Sequence, residues 1–161
     1  LTMQTRNSAA YKGIMALILQ DSPLDFMTGH RMDIASYIDE DADIHHIFPQ
    51  TYCEKNKLPR IKWNSVINKT PIYASSNRSI GGHAPSTYIG TMANKGLDQL
   101  KIQEAIESHK VNYIYLSSDD FDAYFIDRAI KLLNRVEKAT GKVVTGRDSQ
   151  ETVDAYGVSL L

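Results

Sequence analysis

Residues 43–50 read DIHHIFPQ and place His45 beside His46 in a chain with five histidines in all. A neutral imidazole, with an ordinary pKa of ~6.5, takes a proton near neutral pH, and its lone pair also ligates divalent metals. Such a pair suits a site where one ring takes a proton from water and the other helps hold a cation. A surface pair at a strand end looks the same, so the pair alone decides little. Two asparagines follow, Asn68 in NSVINKTP and Asn77 in ASSNRSI. An amide oxygen is a hard donor for a cation, and an amide with both donors and acceptor can tie down a loop. The order His-His, Pro49, Asn68, Asn77 is far more specific than any of its parts.

The elements that must position these residues are short. DIHHIF (43–48) reads as a strand with β-branched residues flanking the histidines, ended by Pro49. TYCEKN reads as one helical turn, KLPRIKW as a basic loop, and NSVIN (64–68) as a second strand or strand-like turn closed by Thr70-Pro71. ASSNRSI (74–80) reads as a short helix stopped by Gly81-Gly82. Adjacent strand residues face opposite ways, so His45 and His46 are expected to share a site only if the chain bends or bulges there.

Around this segment the pattern is helical. Tyr11, Ile14, Met15, Ile18 and Leu19 recur at helical spacing over 8–20, with Ser8 as N-cap and Ser22-Pro23 as the stop. Residues 21–42 are polar, with a turn at Gly29. PSTYIGTMANK starts a helix with Pro85 in its first turn. Residues 97–110 form an amphipathic helix with Leu97, Leu100, Ile102, Ala105 and Ile106 on its apolar side. The longest helix is read over 118–142, capped by Ser118 or Asp119, with Asp119, Asp120 and Asp122 at the positive end of its dipole. Its stripe is Phe121, Phe125, Ile126, Ala129, Leu132, Leu133 and Val136, and Gly141 ends it. The last twenty residues, polar and punctuated by glycine, have the composition of a disordered tail. The expected fold class is α+β, mostly α.

A chain of 161 residues with 42% hydrophobic and 23% charged residues fits one globular domain. No stretch approaches the ~20 apolar residues needed to span a bilayer, so no membrane association is expected. The first residue is Leu1, not Met, which suggests a piece of a longer protein. A single cysteine, Cys53, rules out an internal disulfide and suits a reducing bacterial cytoplasm; it reads as a small buried apolar residue. Net charge is −1, but its distribution is uneven. Asp21 to Asp43 holds seven acids (including Asp39, Glu40 and Asp41) against Arg31, whereas His45 to Lys95 holds seven bases against Glu54. That middle third is suited to attracting phosphate.

DIHHIFPQ…NSVINKTPIYASSNRSIGGHAPSTYI resembles the core of the HNH, or ββα-metal (His-Me finger), endonucleases. It is most similar to the nuclease domain at the C-terminal end of GmrSD-type modification-dependent restriction proteins and to the related phosphorothioate-sensing defence nucleases. The flanks DFMTGH, SHKVN and SSDDFDAYFIDRAIKLLNRVEKATGK agree with the helical wrapping of that domain. The resemblance implies a ββα core over about 43–80 within a nuclease domain of 1–142, a polar tail over 143–161, and an NTPase or sensor domain upstream. It implies His46 as general base, His45 and Asn77 as metal ligands, Asp43 more weakly as a third, and Asn68 as the residue that fastens the histidine loop. Arg60, Lys62, Lys69 and Arg78 are the expected phosphate contacts.

The implied reaction is hydrolysis of a DNA phosphodiester to 5′-phosphate and 3′-hydroxyl ends, with one divalent cation. Magnesium or manganese is expected in use; the imidazole nitrogen also admits zinc or nickel. The DNA would be duplex, modified or of phage origin. One site cuts one strand at a time, so a double-strand break would need a homo-oligomer or two visits. Rival readings are a DNA-binding module with a decayed site, an RNase on the same scaffold, and a structural metal site. The last is disfavoured, because a closed zinc site needs four ligands. The flanks of His83 read as a loop rather than a third ligand position, and His30, His109, Tyr73 and Trp63 read as packing or surface residues.

Overall fold

In the computed structural model, which describes residues 8–38 and 42–161, Ser8 caps the first helix by accepting from the Tyr11 N–H at 3.2 Å. This helix, α1 (Ala9–Gln20), buries Tyr11, Ile14, Met15, Ile18 and Leu19, the residues its periodicity singles out. Asp39, Glu40 and Asp41 lie outside the described residues. The stretch before them holds a short helix, α2 (Ile34–Ile38), that polarity had concealed.

Strand β1 (Ala42–His46) pairs antiparallel with β2 (Lys69–Tyr73), from Ala42 opposite Tyr73 to His46 opposite Lys69. The pairing is one for one, so no bulge stands at the histidines. The second strand lies further along than the sequence reading put it. Val66–Asn68 is instead a turn of 3-10 helix, because Asn68 turns its side chain inward to bond Phe48 and Trp63. Pro71 sits within β2, opposite Ile44, where a sheet of only two strands leaves room for a residue without an N–H.

Between the strands run α3 (Gln50–Lys55) and α4 (Arg60–Trp63). The latter replaces part of the expected basic loop, started by Pro59. After β2 comes α5 (Ala74–Ile80), ended by Gly81 at φ 60°, then α6 (Pro85–Asn94) and α7 (Gln99–Ser108). On α7, Ile102, Ala105 and Ile106 are buried as expected, but Leu100 is 78% exposed.

The longest helix is one helix that starts slightly later than expected, and a separate short helix precedes it. Asn112 caps α8 (Tyr113–Ser117), and Asp120, not Ser118 or Asp119, caps α9 (Phe121–Thr140). Asp119 breaks the run at φ 57° and spends its carboxylate on the N–H and hydroxyl of Ser86, at the start of α6. The supposed tail also folds: α10 (Gln150–Tyr156) is capped by Ser149, and Leu160 beyond it is buried. The fold is mixed α+β and mostly helical. Among the described residues no helix is long and apolar enough to cross a membrane.

α9 is the central beam. Phe121, Tyr124, Phe125 and Ala129 join the main core with Ile47, Phe48, Trp63 and Ile72, while Leu132 meets α1 in a smaller cluster with Val66. Its stripe also contains Arg128, which is fully buried and donates to the carbonyls of Ile67, Lys69 and His109. A cation surrounded by carbonyl dipoles keeps its charge hydrogen-bonded inside the core. It also fixes the turn that leads into β2.

His109 is likewise fully buried, its ring between the Thr70 hydroxyl at 2.6 Å and the Leu24 carbonyl at 2.8 Å. Burial pushes its pKa from 6.5 down to about 3. In the unfolded chain the ring takes a proton near 6.5, so between these values the unfolded state binds more protons than the folded one. Stability is therefore expected to be full above about pH 6.5 and to fall as the pH drops toward 3. Urea midpoints measured across this window should show the slope, and His109→Gln should reduce it; an equal slope in the variant would contradict the assignment.

Candidate functional site

Three side chains meet where the hairpin adjoins α5. Asp43 and His45 are two apart on β1 and so share one face of the strand. Both reach Asn77 on α5: His45 Nδ1 lies 2.9 Å from Asn77 Oδ1, and Asn77 Nδ2 donates to Asp43 Oδ2 at 3.1 Å. The Asp43 carboxylate thereby holds the amide with its oxygen toward His45. In this arrangement Asp43 orients a donor.

His45 is 2% exposed, walled by the rings of Phe26 and Tyr88, each with its centroid 6.1 Å away. Burial pushes its pKa down to about 4, against the raising effect of the Asn77 hydrogen bond. The ring is therefore neutral at neutral pH; its Nδ1–H donates to Asn77 Oδ1, and ligation of a metal through Nδ1 would require that hydrogen to move to Nε2. Its Nε2 is buried and has no hydrogen-bond partner. Two donors on neighbouring positions of a six-coordinate cation, each at ~2.1 Å, stand ~3 Å apart. The separation of His45 Nδ1 and Asn77 Oδ1 is of that size, and an imidazole nitrogen with an amide oxygen is a donor set for a divalent cation. Among the described residues no group of three His, Cys, Asp or Glu side chains gathers, so a cation held here would depend on the asparagine.

His46 is the next residue and half-buried. Its ring meets Trp63 edge to face at 5.8 Å, and its Nε2 lies 3.3 Å from Asn64 Oδ1. Without a bulge, the two rings still line one cleft of ≈ 190 Å³ together with Asn77, Gln50, Thr51, Gly81 and Gly82. Gly82 comes so near α3 that a Cβ there would stand 2.9 Å from Thr51, so only glycine closes this wall. Larger hollows lie elsewhere. The one of ≈ 570 Å³ is bordered by the Asp21 ion pairs to Lys110 and Arg135, and the one of ≈ 370 Å³ is mainly apolar.

Asn68 lies beneath this cleft, fully buried. Its Oδ1 accepts from the Phe48 N–H at 2.9 Å, and its Nδ2 donates to the carbonyls of Phe48 and Trp63 at 2.9 and 2.8 Å. The Tyr124 hydroxyl adds a bond to Oδ1 at 3.2 Å, and the Tyr88 hydroxyl holds the Ile47 carbonyl. The turn after His46 is thus bonded at both its residues. Asp25, within the DFMTGH flank, is buried at the start of α5 and accepts from the Tyr73 N–H and the Ser76 hydroxyl, fixing the helix that carries Asn77.

The basic residues divide. Arg60 and Arg78 are exposed. Lys69 is 3% exposed, its ammonium 5.8 Å from the centre of the Tyr11 ring, which corrects its expected place among the phosphate contacts. Lys62 lies by the Phe125 ring and reaches Asp122 at 3.5 Å, so it too is engaged within the fold. His83 is exposed and does not line the cleft. Trp63 and His109 are buried, and burial pushes the Cys53 thiol up to about 12, far from a nucleophile. Asn64 and Asp25 escaped the sequence reading as site residues. Neither has a spacing that marks it; each acts through a contact between segments far apart in the chain.

No family model matches the chain, and no solved structure matches it. Over 118 residues it is 34% identical to the uncharacterized protein MJ0686 of Methanocaldococcus jannaschii, a match taking in 68% of this chain and 20% of that protein. The chain thus spans about a fifth of the length of this curated relative.

Replacing Asn68 removes partners from three buried backbone groups at once. Asn68→Ala is expected to lower the unfolding free energy by about 3 kcal/mol, measured in urea. A loss under about 1 kcal/mol would show that the amide does not hold the cleft.

Proposed function

We propose that this chain is a metal-dependent DNA endonuclease domain of the HNH type, with β1, β2 and α5 as the strands and helix of a ββα-metal finger. The observation that carries this reading is the meeting of His45 and Asn77 at 2.9 Å beside His46, which lines the same cleft. The resemblance of DIHHIFPQ…NSVIN…ASSNRSI to that family supports it.

In this reading His45 Nδ1 and Asn77 Oδ1 would hold the cation, the ring's hydrogen shifting from Nδ1 to Nε2, and Asp43 keeps the amide oxygen turned toward the site. A divalent cation bound there relieves charge on the phosphoryl oxygens and on the departing 3′ oxygen. His46 takes the proton of the attacking water, a role for which a neutral imidazole suits neutral pH. Trp63 packs edge to face against the His46 ring, and Asn68 fixes the turn after it. Arg78, next to Asn77, and Arg60 supply exposed charge for the phosphate backbone. Contacts of that type position DNA without reading its sequence, so low intrinsic sequence specificity follows.

Magnesium or manganese fits the turnover role, with zinc or nickel favoured by the imidazole in affinity alone. The domain would serve as the effector of an anti-phage restriction system in the bacterial cytoplasm, with the sensing of modified DNA done by an NTPase or sensor domain outside this chain.

The protein with manganese or magnesium is expected to relax supercoiled plasmid, and EDTA to stop it. His46→Ala should slow cutting about 1,000-fold while keeping manganese affinity by calorimetry. Asn77→Ala should lose both. Cutting that survives in His46→Ala contradicts the role of the ring, and cleavage of RNA but not DNA in a parallel digest would replace the substrate.

A further inference from the structure

We propose that Asn64 is the positioning residue of His46: its amide oxygen holds the Nε2–H of the ring and so sets Nδ1 as the nitrogen that takes the proton. This rests on the reading of His46 as the general base. The neutral imidazole carries one N–H and one lone pair, and only the lone-pair nitrogen removes a proton. Asn64 Oδ1 is an acceptor only, and it stands 3.3 Å from His46 Nε2. The contact selects the tautomer with hydrogen on Nε2 and the lone pair on Nδ1. Once the ring is protonated, the same N–H belongs to a cation, and the hydrogen bond becomes charge-assisted and shortens. Asn64 thus favours the product of the proton transfer as well as its starting tautomer.

The backbone makes this contact reproducible. The Asn64 N–H closes the end of α4 on the Arg60 carbonyl at 2.9 Å, so the helix end is made by the backbone and does not depend on the side-chain oxygen. The carbonyl of Trp63, in the same peptide, accepts from Asn68 Nδ2 at 2.8 Å. The same amide bonds both polar groups of the Phe48 backbone, two residues beyond His46. Both sides of the His46–Asn64 contact are therefore fastened to one buried residue. The Trp63 ring, edge to face with His46 at 5.8 Å, limits how far the imidazole can swing away.

A residue that only ends α4 does so with its backbone, and its side chain could be exchanged without consequence for the ring. Long-range 1H–15N spectra of the full chain at pH 8, with His46 assigned by comparison with His46→Gln, separate the two cases without any substrate. Wild type is expected to show a protonated Nε2 and an unprotonated Nδ1. In Asn64→Ala the two nitrogen shifts should move toward each other as the tautomers mix. Asn64→Asp, which keeps an acceptor oxygen, should restore the wild-type pattern. In plasmid cleavage Asn64→Ala should lower kcat about 10-fold at unchanged KM, and Asn64→Asp should recover most of it. A protonated Nδ1 in wild type, or unchanged shifts in Asn64→Ala, overturns the proposal. Absence of cleavage by the wild type with every metal tried would instead overturn the endonuclease reading, and with it the catalytic meaning of Asn64, whatever the tautomer proves to be.

Discussion

The side-chain amide of Asn68 bonds the N–H and the carbonyl of Phe48 and the carbonyl of Trp63, all inside the core. These groups lie near the start and toward the end of the one connection, residues 47–68, that joins β1 to β2. Without the amide the Phe48 N–H and the Trp63 carbonyl would lose this partner and the Phe48 carbonyl would keep the weak bond from the Cys53 thiol, and a buried group left unpaired costs more than its bond contributes. The amide forces α3, α4 and the end of β1 into one arrangement. The cleft is the space that arrangement leaves between His46 and the start of α3.

Other buried polar groups extend this frame outward. Tyr124 and Arg128, one turn apart on α9, bond Ile67, Asn68 and Lys69, so the longest helix grips the start of β2. Asp25 performs the same service at the far end of that strand, where Tyr73 gives way to α5. The helix that presents Asn77 is short and has no cap from its own N-cap residue. Its placement comes from a carboxylate supplied by a distant loop. Buried polar networks of this sort specify a unique geometry when every member is satisfied, and the placing of His45 against Asn77 needs such precision. Satisfaction is incomplete at Arg128 Nη2 and at Nε2 of His45, the latter within the ring that the functional reading gives to the cation.

Much of the helical frame was legible in the sequence. The α1 face, the glycine stop of α9 at Gly141 and the proline start of α6 follow from periodicity and local backbone chemistry alone, and the structure has them where the pattern puts them. Features decided by contacts between distant segments were not legible. β2 lies later than expected because Asn68 is drawn inward by Phe48, twenty positions away. Lys69 reads as surface charge but is enclosed by the packing of α1 over the strand. Nothing in the local pattern marks Arg128, whose burial follows from carbonyls of Ile67, Lys69 and His109 in two distant stretches of the chain. The folded C-terminal segment was hidden by its polar composition, since Leu160 and Arg147 anchor it through a few contacts rather than an apolar face. In the candidate site the residue types and order were legible, and the Asn64 partner of His46 was not, because a single asparagine at the end of a four-residue helix carries no pattern.

The central claim is that His45 and Asn77 together hold one divalent cation beside His46. Anomalous diffraction from crystals grown with manganese tests it most directly. The account predicts a single strong peak within ligand distance of His45 Nδ1 and Asn77 Oδ1, at the floor of the cleft that His46 lines. A manganese peak elsewhere with none between these two atoms, at a concentration that supports plasmid cleavage, would contradict it.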